Sequence, residues 1–294
     1  MEGPRLCTRQ SLAGGLRRLG LTAGDTLLVH ASMRSLGWVC GGPTTVVHAL
    51  LDVLGPAGTV VVPAQTPDNR DPSRWPGRPV PESWWPEIRA QLPAFHPALT
   101  PCGPTMGALA ERVRTWPGAV RSAHPQTSFA ALGPAAERLM AGHALASPLG
   151  EESPLARLEE LDARVLLLGV GYDKCTVFHL AEYRQPDPAV YLNACVVATP
   201  AGRAWVNYET VVLDDHDFPA LGADFERVTG TVLTGPVGAA HCRLLPARAA
   251  IDFATGWLPR HRAGGSSRGT TLPVALRGND AKKITSRGTQ NRAR

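Results

Sequence analysis

"ARVLLLGVGYDKCTVFHLAEYR", residues 163–184, holds the reading on which the fold turns. Its first half is an unbroken apolar run, Val165 to Leu168, as expected of a strand buried on both faces of a sheet. Gly169 and Gly171 interrupt the run, and Asp173 can cap a helix that ends before Pro186. A strand passing through a glycine turn into a helix is the building unit of a parallel α/β sheet. On that helix His179 and Glu182 stand three apart, hence on one face. The helix starts at the carboxyl end of its strand, where open α/β sheets hold their ligands. Imidazole titrates near neutrality and a carboxylate can fix its tautomer. The pair therefore reads either as a base with its orienting acid or as a packing histidine beside a solvated carboxylate. Cys175, one turn earlier, reads as a nucleophile or as a small buried thiol.

The same alternation extends outward in both directions. "DTLLVHAS" (25–32) and "GTVVVPAQ" (58–65) read as strands. Between them "TTVVHALLDVLG" sets Val46, Val47, Leu50, Leu51 and Leu54 at helical spacing, and Gly55 closes the segment. A Pro/Trp-rich excursion over 66–97 is too long for a simple connection and reads as a functional cover. Helices are expected over 105–116 and 133–143, and a hairpin over 191–213 around "PAG". The expected architecture is a single α/β domain over 1–259: an α/β/α sandwich with a central mixed sheet, the hairpin added to that sheet as its antiparallel pair.

Three further clusters carry candidate chemistry. In "VHASMRSLGWVCGGPTT" (29–45), Ser32, Arg34, Ser35 and the glycines Gly37, Gly41 and Gly42 lie between a strand and a helix, where backbone amides can cradle an anion. The stretch fits neither dinucleotide-binding nor phosphate-loop patterns, and a capped glycine loop is the competing reading. "RSAHPQTSFAALG" (121–133) adds Arg121, His124 and Ser128, with His124 held extended before Pro125. "LDDHDF" (213–218) gathers three acids, a solvated loop on most surfaces and an attraction for cations in a cleft.

Bulk properties exclude several classes. With 44% hydrophobic and 19% charged residues the chain reads as a soluble globular protein. No run approaches ~18 apolar residues, and "MEGPRLCTRQ" lacks the apolar stretch of a secretion signal. The six cysteines show neither metal-ligand nor disulfide-framework spacing, which fits a reducing cytoplasm and no metal. The formal charge of +5 is unevenly spread: residues 260–294 hold nine Lys/Arg and only Asp280, leaving 21 basic and 24 acidic residues in the body. That Gly/Ser/Arg-rich tail is expected to be a disordered extension rather than a nucleic-acid-binding arm.

Taken together, "LLVHASMRSLGWVCGGPTTVVHALLDVLGPAGTVVVPAQT", "MGALAERVRTWPGAVRSAHPQTSFAALG", "GEESPLARL", "LLLGVGYDKCTVFHLAEYR" and "GPVGAAHCRLLPARAAIDFATGWL" resemble the aminoglycoside N(3)-acetyltransferases, over roughly residues 10–258. The resemblance implies an antibiotic N-acetyltransferase fold distinct from the GNAT fold. It also implies an acetyl-CoA-dependent enzyme that acetylates the 3-amino group of the 2-deoxystreptamine ring and so confers resistance. Direct transfer in a ternary complex is implied, with His179 as general base and Glu182 orienting it. By motif the coenzyme loop falls on Ser32, Arg34, Ser35, Leu36 and Gly37, with Ser128 nearby. The acids facing the cationic sugar correspond to Asp215 above all, then Asp217, Asp68 and Glu209. The partner expected is an aminoglycoside or similar cationic amine, without a membrane, for a cytoplasmic monomer or homodimer. The chain departs from the family at His96, where "AFHP" replaces an acidic "AFDP", and in the spacing of its acidic stretch; both are expected to bear on which amine fits. A same-fold enzyme for another small amine and a Cys/His hydrolase remain the alternatives.

Overall fold

The computed structural model describes residues 6–75 and 80–262. Short strand β1 (Leu6–Cys7) precedes α1 (Arg9–Arg18), whose first turn Thr8 and Ser11 close with a reciprocal capping box. Then come β2 (Thr26–Ala31), β3 (Trp38–Val39), α2 (Gly42–Leu54) and β4 (Thr59–Pro63). The excursion carries α3 (Trp85–Gln91). It is followed by α4 (Gly107–Arg114), β5 (Val120–Arg121), β6 (Phe129–Leu132), α5 (Ala136–Met140) and α6 (Pro154–Glu160). Segment 163–184 supplies β7 (Arg164–Leu168) and α7 (Phe178–Tyr183). Hairpin strands β8 (Val190–Thr199) and β9 (Gly202–Val211) lead to α8 (Phe218–Thr229), β10 (Leu233–Val237), β11 (Ala240–Pro246) and α9 (Ala247–Arg262).

Seven strands form the central sheet in the order β10-β11-β7-β2-β4-β6-β5. The inner three, β7, β2 and β4, are parallel; β11 and β6 flank them antiparallel. Strand alternation then builds two cores. Leu28, Val61, Val165 and Leu167 face a cluster with Leu139, Leu155, Phe178, Phe225 and Ile251 from α5–α9. Leu27, Val29, Val60, Val62, Leu166 and Leu168 face the other way, against Leu12, Val47, Leu50 and Val113 of α1, α2 and α4. Each such side chain contributes about 1.5–3 kcal/mol by leaving water. The expected α/β/α sandwich around a mixed sheet is therefore the architecture found.

Its antiparallel partners differ from the expected ones. The hairpin forms as read, but β8 and β9 make a separate two-stranded sheet. Polar side chains hold it off the central sheet: Asn69 bonds the Val196 carbonyl (3.1 Å) and amide (2.9 Å), and Gln126 donates to the Ala194 carbonyl at 3.0 Å. Strand-edge groups bonded to side chains are not free to extend the main ladder. The antiparallel edge comes instead from β10–β11, within a segment that the sequence reading left unassigned. Nor does Asp173 cap α7: a short 3₁₀ turn, Tyr172–Lys174, intervenes, and Asp173 pairs with Lys174 at 2.9 Å.

Gly169 sets the turn after β7. It adopts φ +70°, and a Cβ there would lie 2.6 Å from Ser35 Cβ and 2.9 Å from Ala240 Cβ. Only glycine tolerates both the left-handed backbone and that approach. At the other end, α9 runs three residues past the expected boundary at 259. The charge count misassigned them, because ring stacking and ion pairs stabilise this last turn: His261 stacks on Trp257 at 3.8 Å, and Arg262 is held by carboxylates. The rest of the tail, with its expected disorder, lies outside the described residues. Among those described, no helix is long and apolar enough to cross a membrane, and all six cysteines are free thiols.

Candidate active site

The carboxyl ends of β2, β4 and β7 open into a cavity of about 460 Å³, within the range of roughly 300–1,000 Å³ typical of ligand sites. Val29–Ala31 and Val62–Pro63 supply its floor, Val170, Asp173–Thr176 and His179 one wall. The excursion and the hairpin close it through Arg70, Arg74, Tyr191, Asn193 and Thr210. The excursion is thus a cover in the sense that its length suggested.

His179 Nδ1 lies 2.7 Å from Glu182 Oε2. A carboxylate accepts, so Nδ1 carries the hydrogen and Nε2 is the nitrogen left for the cavity. Phe218 packs against the imidazole with ring centroids 4.7 Å apart. Glu182 is 3% exposed, and its other oxygen accepts from the Asp214 amide (3.0 Å) and Arg262 Nη1 (2.6 Å). Arg262 in turn grips Asp217 with Nε (2.8 Å) and Nη2 (2.6 Å) and reaches the Asp214 carbonyl at 2.7 Å. Burial works against the guanidinium's charge, yet Asp217 and Glu182 hold its pKa above the ordinary arginine value. Asp217 is held below the usual carboxylate range: burial opposes ionisation, and Arg262 more than offsets it.

The expected site residues divide sharply. His179, Glu182 and Asp215 come together, with Asp215 bordering the cavity. Asp217 faces Arg262 instead. Glu209 is exposed between buried Tyr208 and Thr210, on the side of β9 away from them. Asp68 lies outside the cavity lining, its carbonyl accepting from Trp75 Nε1. Ser128 is fully enclosed, donating to the Ala64 carbonyl (2.8 Å) and accepting from Arg121 Nε (3.0 Å), which leaves it nothing to offer a coenzyme. Ser32 to Gly37 continue from Ala31 at the cavity edge. Ser35 donates to Ser32 Oγ at 2.9 Å, the Leu36 carbonyl accepts from the Ala239 amide and Cys7, and Arg34 and Gly37 are exposed. His96 is exposed, its Nδ1 accepting from the Ala98 amide at 3.2 Å as an aspartate would in a turn. That departure therefore concerns a turn and not the cavity. Cys175 borders the cavity, but burial drives its thiol far above the usual range, so it is no ready nucleophile.

Sequence reasoning missed His30, Thr176, Gln126, Asn193, Arg70 and Arg74. His30 was legible as a lone polar residue in the apolar run of β2; its Nε2 lies 3.3 Å from Thr176 Oγ1. Burial first, then His179 and Lys174, lowers its pKa to about 3. Behind the cavity wall His124 and His143 pack 4.7 Å apart, lowered by burial to about 4 and about 3. All three bind protons more weakly folded than unfolded. Their stabilisation is therefore present above about pH 6.5 and lost as pH falls toward 3–4. Between pH 6.5 and 5.5 each should remove about 1 kcal/mol, measurable as a fall in urea midpoint. A flat midpoint over that range contradicts their burial as neutral groups.

The family model described as aminoglycoside 3-N-acetyltransferase matches residues 28–259. An SPbeta prophage-derived aminoglycoside N(3')-acetyltransferase-like protein, YokD of Bacillus subtilis strain 168, is 40% identical over 250 residues, covering 85% of this chain and 92% of its own. Its crystal structure superposes with a TM-score of 0.86 at 39% identity, covering 90% and 96% of the two chains. Aminoglycoside N(3)-acetyltransferase VII of Streptomyces paromomycinus is 37% identical over 287 residues, covering 87% and 92%. A solved structure of AAC-IIIb with CoASH gives a TM-score of 0.76 at 35% identity, covering 87% and 97%. The superpositions span most of the chain, and the family match over 28–259 includes every residue that lines the cavity. On these grounds the chain belongs to the aminoglycoside 3-N-acetyltransferase family.

Proposed function

We propose that the protein transfers the acetyl group of acetyl-CoA to an amine bound in this cavity, the 3-amino group of an aminoglycoside's 2-deoxystreptamine ring, with His179 as general base. The observation that carries the reading is the His179–Glu182 contact at 2.7 Å, on a histidine that borders a ligand-sized cavity. An ammonium has no lone pair, so it must lose a proton before it can attack a thioester. His179 Nε2 takes that proton while Nδ1–H stays on Glu182, which stabilises the imidazolium formed. The amine nitrogen then bonds to the acetyl carbonyl carbon and the C–S bond breaks; His179 gives its proton to the departing thiolate, and the second proton on the nitrogen is lost to solvent, leaving a neutral amide. Bringing both substrates into register can remove ~7–11 kcal/mol of the barrier without an acyl-enzyme. Asp215 is the acid best placed to face a cationic sugar, and the Ser32–Gly37 loop lies at the edge suited to the coenzyme. Membership of a family named for aminoglycosides supports that acceptor.

The decisive assay is thiol release from acetyl-CoA with gentamicin-, kanamycin-, neomycin- and paromomycin-type acceptors. Acceptor-dependent release is expected with at least one. Cys175→Ala should release thiol within about twofold of the parent, since a buried, high-pKa thiol contributes no nucleophile. An acyl adduct on the intact protein, lost in that variant, would refute direct transfer. A second reading, the same chemistry on a different amine, is favoured by one feature: the cavity is bordered by Arg70 and Arg74, and of its two aspartates Asp173 is already paired with Lys174. Absence of release with every aminoglycoside selects that reading.

A further inference from the structure

Among the described residues, Arg70 and Arg74 are the two arginines that line the cavity. Arg89, Arg114, Arg184 and Arg262 each hold a carboxylate, and the one nearest in sequence, Asp71, is taken by Arg89 at 2.7 Å. Arg70 and Arg74 border the cavity half-buried, and among the described residues neither is paired with an acid. Arg70 Nε is buried without a hydrogen-bond partner. Arg74 spends one nitrogen on the Leu192 carbonyl at 2.5 Å and lies 5.9 Å over the Tyr191 ring. Both guanidiniums oppose the rise that burial imposes on the Tyr191 phenol. Buried cationic groups are normally neutralised by a partner, and an unfilled planar fork suits a phosphate or carboxylate. A polycation entering the cavity meets the wrong charge here.

We propose that Arg70 and Arg74, on the Tyr191 side of the cavity, form an anion-recognition site for a phosphate-type group on a bound ligand. The proposal rests on the reading of the cavity as an acetyl-transfer site, but it is tested by binding, so the two fail separately. The phosphate belongs either to the coenzyme or to an anionic acceptor amine, such as a phosphorylated amino sugar. The elements favour the acceptor: both arginines sit on the excursion, against the hairpin, whereas the coenzyme is expected at the loop after β2.

Calorimetry on the full chain separates the sources, comparing the parent with the Arg70→Gln, Arg74→Gln double variant. One arm titrates CoA, dephospho-CoA and pantetheine; the other glucosamine 6-phosphate and glucosamine. The expected result is that the parent binds glucosamine 6-phosphate at least about tenfold more tightly than glucosamine, and that the variant abolishes the difference. If the variant instead loses about tenfold in CoA affinity and keeps its affinity for pantetheine, the site stands and its phosphate is the coenzyme's. A double variant that melts like the parent and changes neither comparison overturns the proposal. If melting shows misfolding, the single variants and a parent titration over rising salt decide. A phosphate preference that does not weaken with salt then overturns it.

Discussion

His179→Ala should lower kcat for acetyl transfer by about 10²–10⁴-fold, the usual range for a lost general base, while CoA affinity changes by less than about twofold. The split arises from the geometry. Removing the imidazole leaves Glu182 with the Asp214 amide and Arg262, so the buried carboxylate keeps two partners and α7 its anchor. The void opens onto a cavity already present, so no sealed hole is created and the stability cost stays low. Binding groups elsewhere in the cavity are untouched, and the deficit belongs in kcat rather than in ground-state affinity. His179→Gln, which refills the volume without a base, should be as slow as the alanine variant. Steady-state thiol release with calorimetry on CoA reads both quantities. Turnover within a few-fold of the parent in either variant sinks the base assignment.

Much of this arrangement could be read from 163–184 and its neighbours. The reason is physical: buried parallel strands are apolar throughout, and their helices start beside the ligand site, so strand, turn and His179 fall into place from local pattern alone. Asp217, Glu209 and Ser128 misled because sequence shows that an acid or hydroxyl exists without showing what it pairs with. Asp217 is claimed by an arginine 45 positions later, and Ser128 by Arg121 and the carbonyl of Ala64, just past β4. Arg70 and Arg74 were hidden for the converse reason. In a Pro/Trp-rich excursion they look like solvated charges, and only the hairpin folding over them turns that stretch into a cavity wall. The same holds for β10–β11, a short pair whose place at the sheet edge is set by contact with β7, not by its own periodicity.

Arg262 was counted from sequence among the charges of the basic tail, and its substitution should be the most costly outside the imidazole itself. Arg262→Ala strips a bidentate partner from Asp217 and one of two backing contacts from Glu182, a group 3% exposed. Removing one member of a buried ion pair costs about 3–5 kcal/mol, and the low end applies because Arg262 is itself 28% exposed. Asp217 contributes in one direction only: its folded pKa is depressed, so its stabilisation is present above the ordinary carboxylate pKa and lost as pH falls through the folded value. The variant should therefore be destabilised by about 3 kcal/mol at pH 7 and less so near pH 3. Arg262 bonds Glu182, Asp214 and Asp217, none of which lines the cavity, so it acts as a positioning residue. Without it Glu182 can rotate and carry the His179 tautomer out of register. Misplacement on the order of 1 Å costs ~10²-fold, and kcat should fall by roughly 10–100-fold at nearly constant KM, with an altered pH profile. Lysine cannot reach Glu182 and both oxygens of Asp217 at once, so Arg262→Lys should recover part of the stability and little of the turnover. Truncation supplies an independent check: removing 263–294 should preserve kcat, whereas removing 260–294 should reproduce the alanine variant. If the longer deletion turns over normally, Glu182 holds His179 without help from α9, and the role assigned to Arg262 is wrong.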